Sequence, residues 1–490
     1  MATRTRVHAL ARGGRRRGRA RARARAAPFG RERASEREES GSVDWLRVRE
    51  AAENVVRRAL EGADAARALR KTLRKGYDEV ERRAIARAAL GTEVWRIRLA
   101  REAVELGTAD AAARDALERA GDDAGRLVFM YWLRDRGGAG ERPSEEVMRE
   151  LYGSGVDACR AVSEEDAVAW SSGAAGVSER AAIPLELAEM FVDDYGETEA
   201  LELARAMNEP GPVTCRANVA KATVDEVVAR LEREGAVTGP TKHGLAKYAF
   251  EFPNGPPPNG GIFGSQTWLD GFYEVQDEGS QLIAEALGAR SGERILDACA
   301  GNGGKTLALA AIMGGAGSIS AFDVDRRRLA HLSANAERAG VADAVTLVEH
   351  TSLSDIEPYS FDAVLVDAPC SSVGALRRTP SLRHSHDDPH RLAEVQKAIL
   401  RDVAPLVRPG GRLVYATCSV LSIENHAVSR AFESEFADDF EPWPFDAPLP
   451  VPSRPLDRAH ERSLSPRAHG TDGFFIARFR RKPPAGDNSS

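Results

Sequence analysis

Arg294-Ile-Leu-Asp297-Ala-Cys299-Ala-Gly301-Asn302-Gly303-Gly304-Lys305-Thr306 is the stretch that decides the fold class. A short apolar run ends in a glycine-rich turn, and the helical segment Leu307–Ile312 follows directly. Glycines are needed there because only a chain without Cβ turns tightly at a strand end and lets its backbone approach a ligand. Outward from this unit lie further short apolar runs at 318–322, 344–348, 361–366 and 412–416, most of them separated by helical segments. That alternation predicts an α/β fold, a doubly wound and mainly parallel Rossmann-like sheet, with the run Gly473–Phe479 closing its edge.

The loop spacing matches neither G-x-G-x-x-G nor the phosphate loop G-x-x-x-x-G-K. Alone, such a turn is as often a tight connection as a binding site. The second strand ends in Phe322-Asp323-Val-Asp325, which places an acid about 20 residues beyond the glycines, where doubly wound folds grip ribose hydroxyls. Asp323 can equally cap the helix Arg326–Arg338. A nucleoside cofactor without a phosphate anchor fits this pattern, and S-adenosyl-L-methionine has a ribose and adenine but no phosphate. A nicotinamide cofactor is disfavoured by the spacing.

Two later strands each finish in a thiol, in Asp367-Ala-Pro-Cys370-Ser and in Tyr415-Ala-Thr-Cys418-Ser. Ligands of open α/β sheets bind beyond the carboxyl ends of the strands, so neighbouring strands of this kind present both thiols to one crevice. Methylation of a pyrimidine at C5 needs such groups. Thiolate addition at C6 makes C5 nucleophilic, and a second group assists breakdown of the adduct. Asp367 can bind the N3/N4 edge of cytosine. A single cysteine is usually a small buried residue, which is the reading for Cys159 and Cys215, whereas Cys299 in the glycine turn fits packing or backbone contact.

The 490 residues exceed one ordinary core. The five cysteines are odd in number and contain no C-x-x-C pair, which fits a reducing compartment with neither a zinc site nor a disulfide framework. No apolar run is long enough to span a membrane. Residues 1–33 hold twelve arginines against the single acid Glu32, so the net charge of −6 leaves the rest of the chain strongly acidic. Any nucleic-acid contact of the folded part must then come from a local patch. Residues 1–42 are expected to be disordered, as a transit peptide to a plastid or mitochondrion or as a basic arm in the cytoplasm or nucleolus. An all-helical domain is expected at 43–185, where Val48, Ala51, Ala52, Val55, Val56, Ala59 and Leu60 mark one helix face. A small α+β unit follows at 186–261, with a capping box at Thr223 and Glu226, then the sheet domain at 262–482 and a disordered tail at 483–490.

Val275-Gln-Asp-Glu-Gly-Ser-Gln281, the loop 297–306, Asp323, Arg328-Leu-x5-Asn335-x2-Arg338-x-Gly340, Asp367-Ala-Pro-Cys370-Ser, Arg377-Arg-x-Pro380, Thr417-Cys418-Ser419 and Gly470-Thr-Asp-Gly-Phe-Phe475 together resemble a known family. The chain is similar, over about residues 45–481, to the RNA cytosine-C5 methyltransferases, and most of all to the bacterial-type 16S ribosomal RNA methyltransferase B group with its NusB-like helical domain. The resemblance implies that Cys418 attacks C6 and Cys370 assists release. It also implies cofactor contacts from Cys299, Ala300, Gly301, Asn302, Gly303, Gly304, Lys305, Asp323 and Asp367. Three positions depart from the family pattern. The usual third-strand acid is absent, so Thr351 or Glu349 must serve; Ser381 stands where an Asp is usual; and Asn302 stands where many members have Pro. A monomer without a metal is expected, acting on small-subunit rRNA through the small unit and a phosphate patch of Arg377, Arg378 and Arg383. A non-catalytic ribosome-assembly factor on the same fold is the alternative.

Overall fold

The computed structural model describes residues 43–483 except 75, 110–118, 135–141, 154–155, 158–169, 254, 256, 258–259, 349–351, 385 and 452–453. The arginine-rich head, the tail from 484, Cys159, Glu349 and Thr351 therefore lie outside the described residues.

The first layer is helical because its apolar residues recur at intervals of three and four. Helix Trp45–Leu60, capped by the Asp44 carboxylate, buries Val48, Ala51, Ala52, Val55, Val56 and Ala59. Leu60, expected on the same face, is exposed. The stripe packs with Ile85 and Leu99 of helix Glu79–Ala109 and with Phe129 and Trp132 of helix Asp123–Arg134, in a core that ends at Val156. Helices Gly173–Ala181, Leu185–Tyr195 and Glu197–Ala206 share a second core, so the boundary expected at 185 cuts through one layer: Val177 packs with Leu187, Phe191 and Leu203.

A three-stranded antiparallel sheet follows, in the order β2-β1-β3, from β1 (Thr214–Ala217), β2 (Ala249–Glu251) and β3 (Tyr273–Val275). The capping box at Thr223 and Glu226 is present and opens helix Val224–Arg233. Because Tyr273 pairs with Ala217, the sheet extends past residue 261, where the sequence placed the boundary. A three-residue strand carries too little alternation to be seen alone.

The main sheet comprises β4 (Arg294–Asp297), β5 (Ser318–Ala321), β6 (Val345–Leu347), β7 (Phe361–Asp367), β8 (Val407–Thr417), β9 (Phe440–Pro442), β10 (Glu461–Leu464) and β11 (Phe474–Arg481). Its order is β10-β11-β8-β7-β4-β5-β6, with β9 beside β11. Strands β6, β5, β4, β7 and β8 are mutually parallel, and β11 is antiparallel to β8. Both faces are covered: Ile295, Leu365 and Val414 enter one core, while Leu296, Val364 and Leu413 enter the other, as a strand period of two requires. Burying each such side chain stabilises the fold by about 2 kcal/mol. The run at 473–479, expected at the edge, is internal, because β10 and β9 both pair with β11. No helix among the described residues is long and apolar enough to cross a membrane.

Candidate active site

The chain order reverses about β4, whose neighbours are β5 and β7, and a ligand crevice opens at the carboxyl ends of such strands. On one side of it lies the glycine turn. Gly301 and Gly303 both have left-handed backbones, with φ of 55° and 84°. A Cβ on Gly303 would sit 2.2 Å from Leu332 Cδ1, whereas one on Gly304 would meet nothing nearer than 4.0 Å. The turn is thus packed tightly behind and open in front. The Asp323 carboxylate accepts from the N–H groups of Gly301 (2.9 Å) and Asp325 (2.8 Å), so it braces the turn from the end of β5. Asp297 is fully buried, and burial pushes it up to about 6 despite the Thr306 hydroxyl donated to Oδ2. Its Oδ1 has no partner. Cys299 faces the same acids, and burial together with Asp297 raises its thiol pKa, which makes it a poor nucleophile.

On the other side are the two cysteines. Asp367 of β7 pairs with Ala416 of β8, so the residues that follow each strand emerge side by side. Cys370 Sγ and Cys418 Sγ lie 3.3 Å apart. A thiol at that distance donates to a thiolate. The hydrogen bond from Cys370 lowers the Cys418 pKa against the effect of burial, and the Ser372 hydroxyl, 3.3 Å from Cys418 Sγ, and the Lys305 charge act in the same direction. The same bond, then burial, pushes Cys370 well up. Cys418 is therefore the more acidic thiol of the pair. Lys305 Nζ bonds Asp367 Oδ2 at 2.6 Å, joining the glycine turn to the first cysteine turn. Despite burial, Asp367 keeps Lys305 protonated.

Several contributors were not visible in sequence. Ser372 has a left-handed backbone (φ 59°), a conformation that costs a non-glycine residue about 1 kcal/mol and is held here by its surroundings. Gly374 donates to Cys418 O (3.0 Å) and accepts from Gly473 N–H (2.8 Å), which gives the Gly470–Phe475 motif a structural reason. Tyr195 OH donates to Val420 O (2.5 Å) and Ser422 N–H to Asp194 (2.7 Å), so the helical layer props the Cys418 turn from behind.

The expected phosphate patch is not one. Arg377 and Arg378 are paired with Asp277 and Asp472, and the Arg377 side chain is only 5% exposed. Arg383 is fully buried and donates to the carbonyls of Val94, Ala182 and Pro380 and to Asn208 Oδ1. These guanidiniums neutralise buried acids and satisfy carbonyls between layers, which sequence spacing cannot distinguish from phosphate binding. Ser381 donates to Asp64. Glu433, His460 and Glu461 could in principle group around a metal ion, but Arg458 already bonds both carboxylates.

Residues 284–480 match the family described as 16S rRNA methyltransferase RsmB/F, and residues 184–247 match the ferredoxin-like domain of RsmF/B-like methyltransferases. A ribosomal RNA small subunit methyltransferase B of Xylella fastidiosa is 34% identical over 310 residues, 62% of this chain and 68% of its own length. The chain belongs to the RsmB/F methyltransferase family. A probable ribosomal RNA small subunit methyltransferase B of Bacillus subtilis is 37% identical over 304 residues, 61% of this chain and 66% of its own length. A methyltransferase homologue from Pyrococcus horikoshii has a solved structure that covers 63% of this chain and 99% of itself, at 31% identity and a TM-score of 0.54. A further crystal structure covers 90% of this chain at 23% identity and a TM-score of 0.66, which shows the same fold. The cofactor of an RsmB/F member is S-adenosylmethionine, and the site fits it: the glycine turn is open in front, and the chain offers a ribose-side acid in Asp323.

Proposed function

We propose that this protein methylates C5 of a cytidine in small-subunit ribosomal RNA, with Cys418 as the nucleophile and Cys370 as the group that frees the product. The observation that carries this reading is the pair of sulfurs 3.3 Å apart, with Cys418 the more acidic, beside a glycine turn. C5 of an intact cytosine is not nucleophilic. Addition of the Cys418 thiolate to C6 gives C5 the character of an enamine carbon. Asp367, held by Lys305, accepts a hydrogen bond from the N4 amino group and so orients the ring for attack at C6. Residues 299–305, Asp323 and Asp367 hold S-adenosylmethionine, which when bound supplies an electrophilic methyl group.

Bonding Cys418 to carbon removes its negative charge. The hydrogen bond and the charge by which Cys418 raised the Cys370 pKa are then lost, while burial and Glu424 still oppose ionisation; Cys370 gives its proton to solvent, and its thiolate takes the C5 proton. Loss of that proton re-forms the C5–C6 double bond and expels the Cys418 thiolate. Cys370→Ala should therefore accumulate a covalent protein–RNA adduct on a denaturing gel, and Cys418→Ala should form none. The reverse pattern would exchange the two roles.

No feature of the described residues favours the alternative of a non-catalytic ribosome-assembly factor. The helical bundle is proposed as a NusB-like module that positions RNA together with the small sheet, in a monomer. The arginine-rich head is proposed as an organelle-targeting segment. Residues 1–42 fused to a fluorescent reporter should direct it to a plastid or mitochondrion, and a diffuse or nucleolar signal would overturn this.

A further inference from the structure

Glu424 is a fully buried carboxylate six residues beyond Cys418. It accepts hydrogen bonds from Ser371 N–H (2.8 Å), Ser371 Oγ (2.6 Å), Ser419 Oγ (2.6 Å) and Gln396 Nε2 (3.2 Å). Ser371 and Ser419 are the residues immediately after the two cysteines, so one carboxylate ties together the turns that carry both sulfurs. The Ser371 N–H and the Gln396 amide can only donate, and both donate to Glu424 Oε1. Its neighbour Asn425 accepts from Thr417 Oγ1 (2.6 Å) and donates to Ser419 O (3.0 Å), bracing the Cys418 turn on both sides of the sulfur. The Glu424 carbonyl accepts from the buried Tyr415 hydroxyl of β8 (2.5 Å), which fixes the segment to the sheet.

We propose that Glu424 is a positioning residue for the methyl-transfer reaction: it clamps the two cysteine turns at their working separation and sets a carboxylate beside Cys370. Two independent features support this. The Glu424 carboxylate accepts from the serine that follows each cysteine, a buried bridge that adds to the direct contacts of Gly374 N–H with Cys418 O and of Ser372 Oγ with Cys418 Sγ. The negative charge of Glu424 also contributes to raising the Cys370 pKa, after the bond to Cys418, burial and the Cys418 charge. A purely structural carboxylate would satisfy the first feature without biasing the two thiols. The proposal rests on the cysteine roles assigned above.

The test uses the full chain as wild type, Glu424→Gln, and the double variant Ser371→Ala with Ser419→Ala. Each is pulsed with iodoacetamide between about pH 6 and about pH 9, and alkylation at Cys370 and Cys418 is quantified by peptide mass spectrometry. Methyl transfer to small-subunit rRNA is measured alongside. Wild type should be alkylated mainly at Cys418. Glu424→Gln removes the charge with little change of shape, so the share of label on Cys370 should rise severalfold. Its kcat should fall about 100-fold while both KM values change less than about threefold, because the loss is of reacting geometry and not of ligand contacts. The serine variant keeps the charge and cuts the tethers, so its kcat should fall while Cys418 remains the preferred thiol; this arm also decides the matter if Glu424→Gln does not fold. A folded Glu424→Gln with wild-type label distribution and kcat would overturn the proposal, as would a serine variant with wild-type kcat. Methyl transfer that persists in Cys418→Ala would instead overturn the assigned cysteine roles, so the two failures are separable.

Discussion

Gly374 shows how much of the site is set by single atoms. A Cβ there would lie 2.1 Å from Gly473 O and 2.8 Å from Cys418 O, both backbone atoms that cannot swing aside. Gly374→Ala should destabilise the protein by about 2 kcal/mol or more and depress methyl transfer further than that loss explains, as read by denaturant melts beside initial rates. A substitution tolerated without loss of either would show that the turn relaxes. The two reactive sulfurs were legible in the sequence because each follows an apolar run and sits in a short motif. Gly374, Ser372 and Glu424 were not, because their roles come from contacts with segments distant along the chain and nothing in their local spacing marks them.

At the scale of elements, the motifs that carried the family likeness meet in one ionic knot. Asp277 caps helix Glu278–Ala286 and, with Asp472, pairs with Arg377 and Arg378, so three separate segments are joined beside the Cys370 turn. Arg377→Ala would leave two buried carboxylates with one partner, and the expected loss is about 3 to 5 kcal/mol. Thermal melts check this, and a loss under about 1 kcal/mol would place the pair in effective contact with solvent. The strands of the parallel sheet were legible because burial on both faces yields continuous apolar runs. Strand β3 was not, being three residues long, and β9 and β10 carry charged residues that read as loop. The arginine motif was visible, but its purpose was not: a guanidinium that pairs with a buried acid and one that waits for a phosphate look alike in sequence.

Across the whole molecule, the layers are joined by buried charges near residue 383. His384 lies there with its Nε2 unpartnered, and burial, then Arg96, Arg383 and His386, hold its pKa down to about 3. The fold accepts only the neutral ring. Its contribution to stability is complete above the ordinary histidine value of about 6.5 and is lost as pH falls from there towards 3. Between about pH 7 and about pH 5 the loss is on the order of 1 kcal/mol, because the ring's partial exposure screens part of the effect. His384→Gln should flatten that part of the stability curve in thermal melts at both pH values, and an unchanged slope would place the acid sensitivity elsewhere. With Arg377 and Arg378 paired to acids and Arg383 buried, the proposed function requires that RNA be held by cations other than these three. Presentation of a cytidine to Cys418 by these layers is measured by methyl transfer from labelled S-adenosylmethionine to small-subunit rRNA, with the product digested to nucleosides. Wild type should place label in 5-methylcytidine, and Cys418→Ala should place none. Label in another nucleoside, or label undiminished in Cys418→Ala, would contradict it.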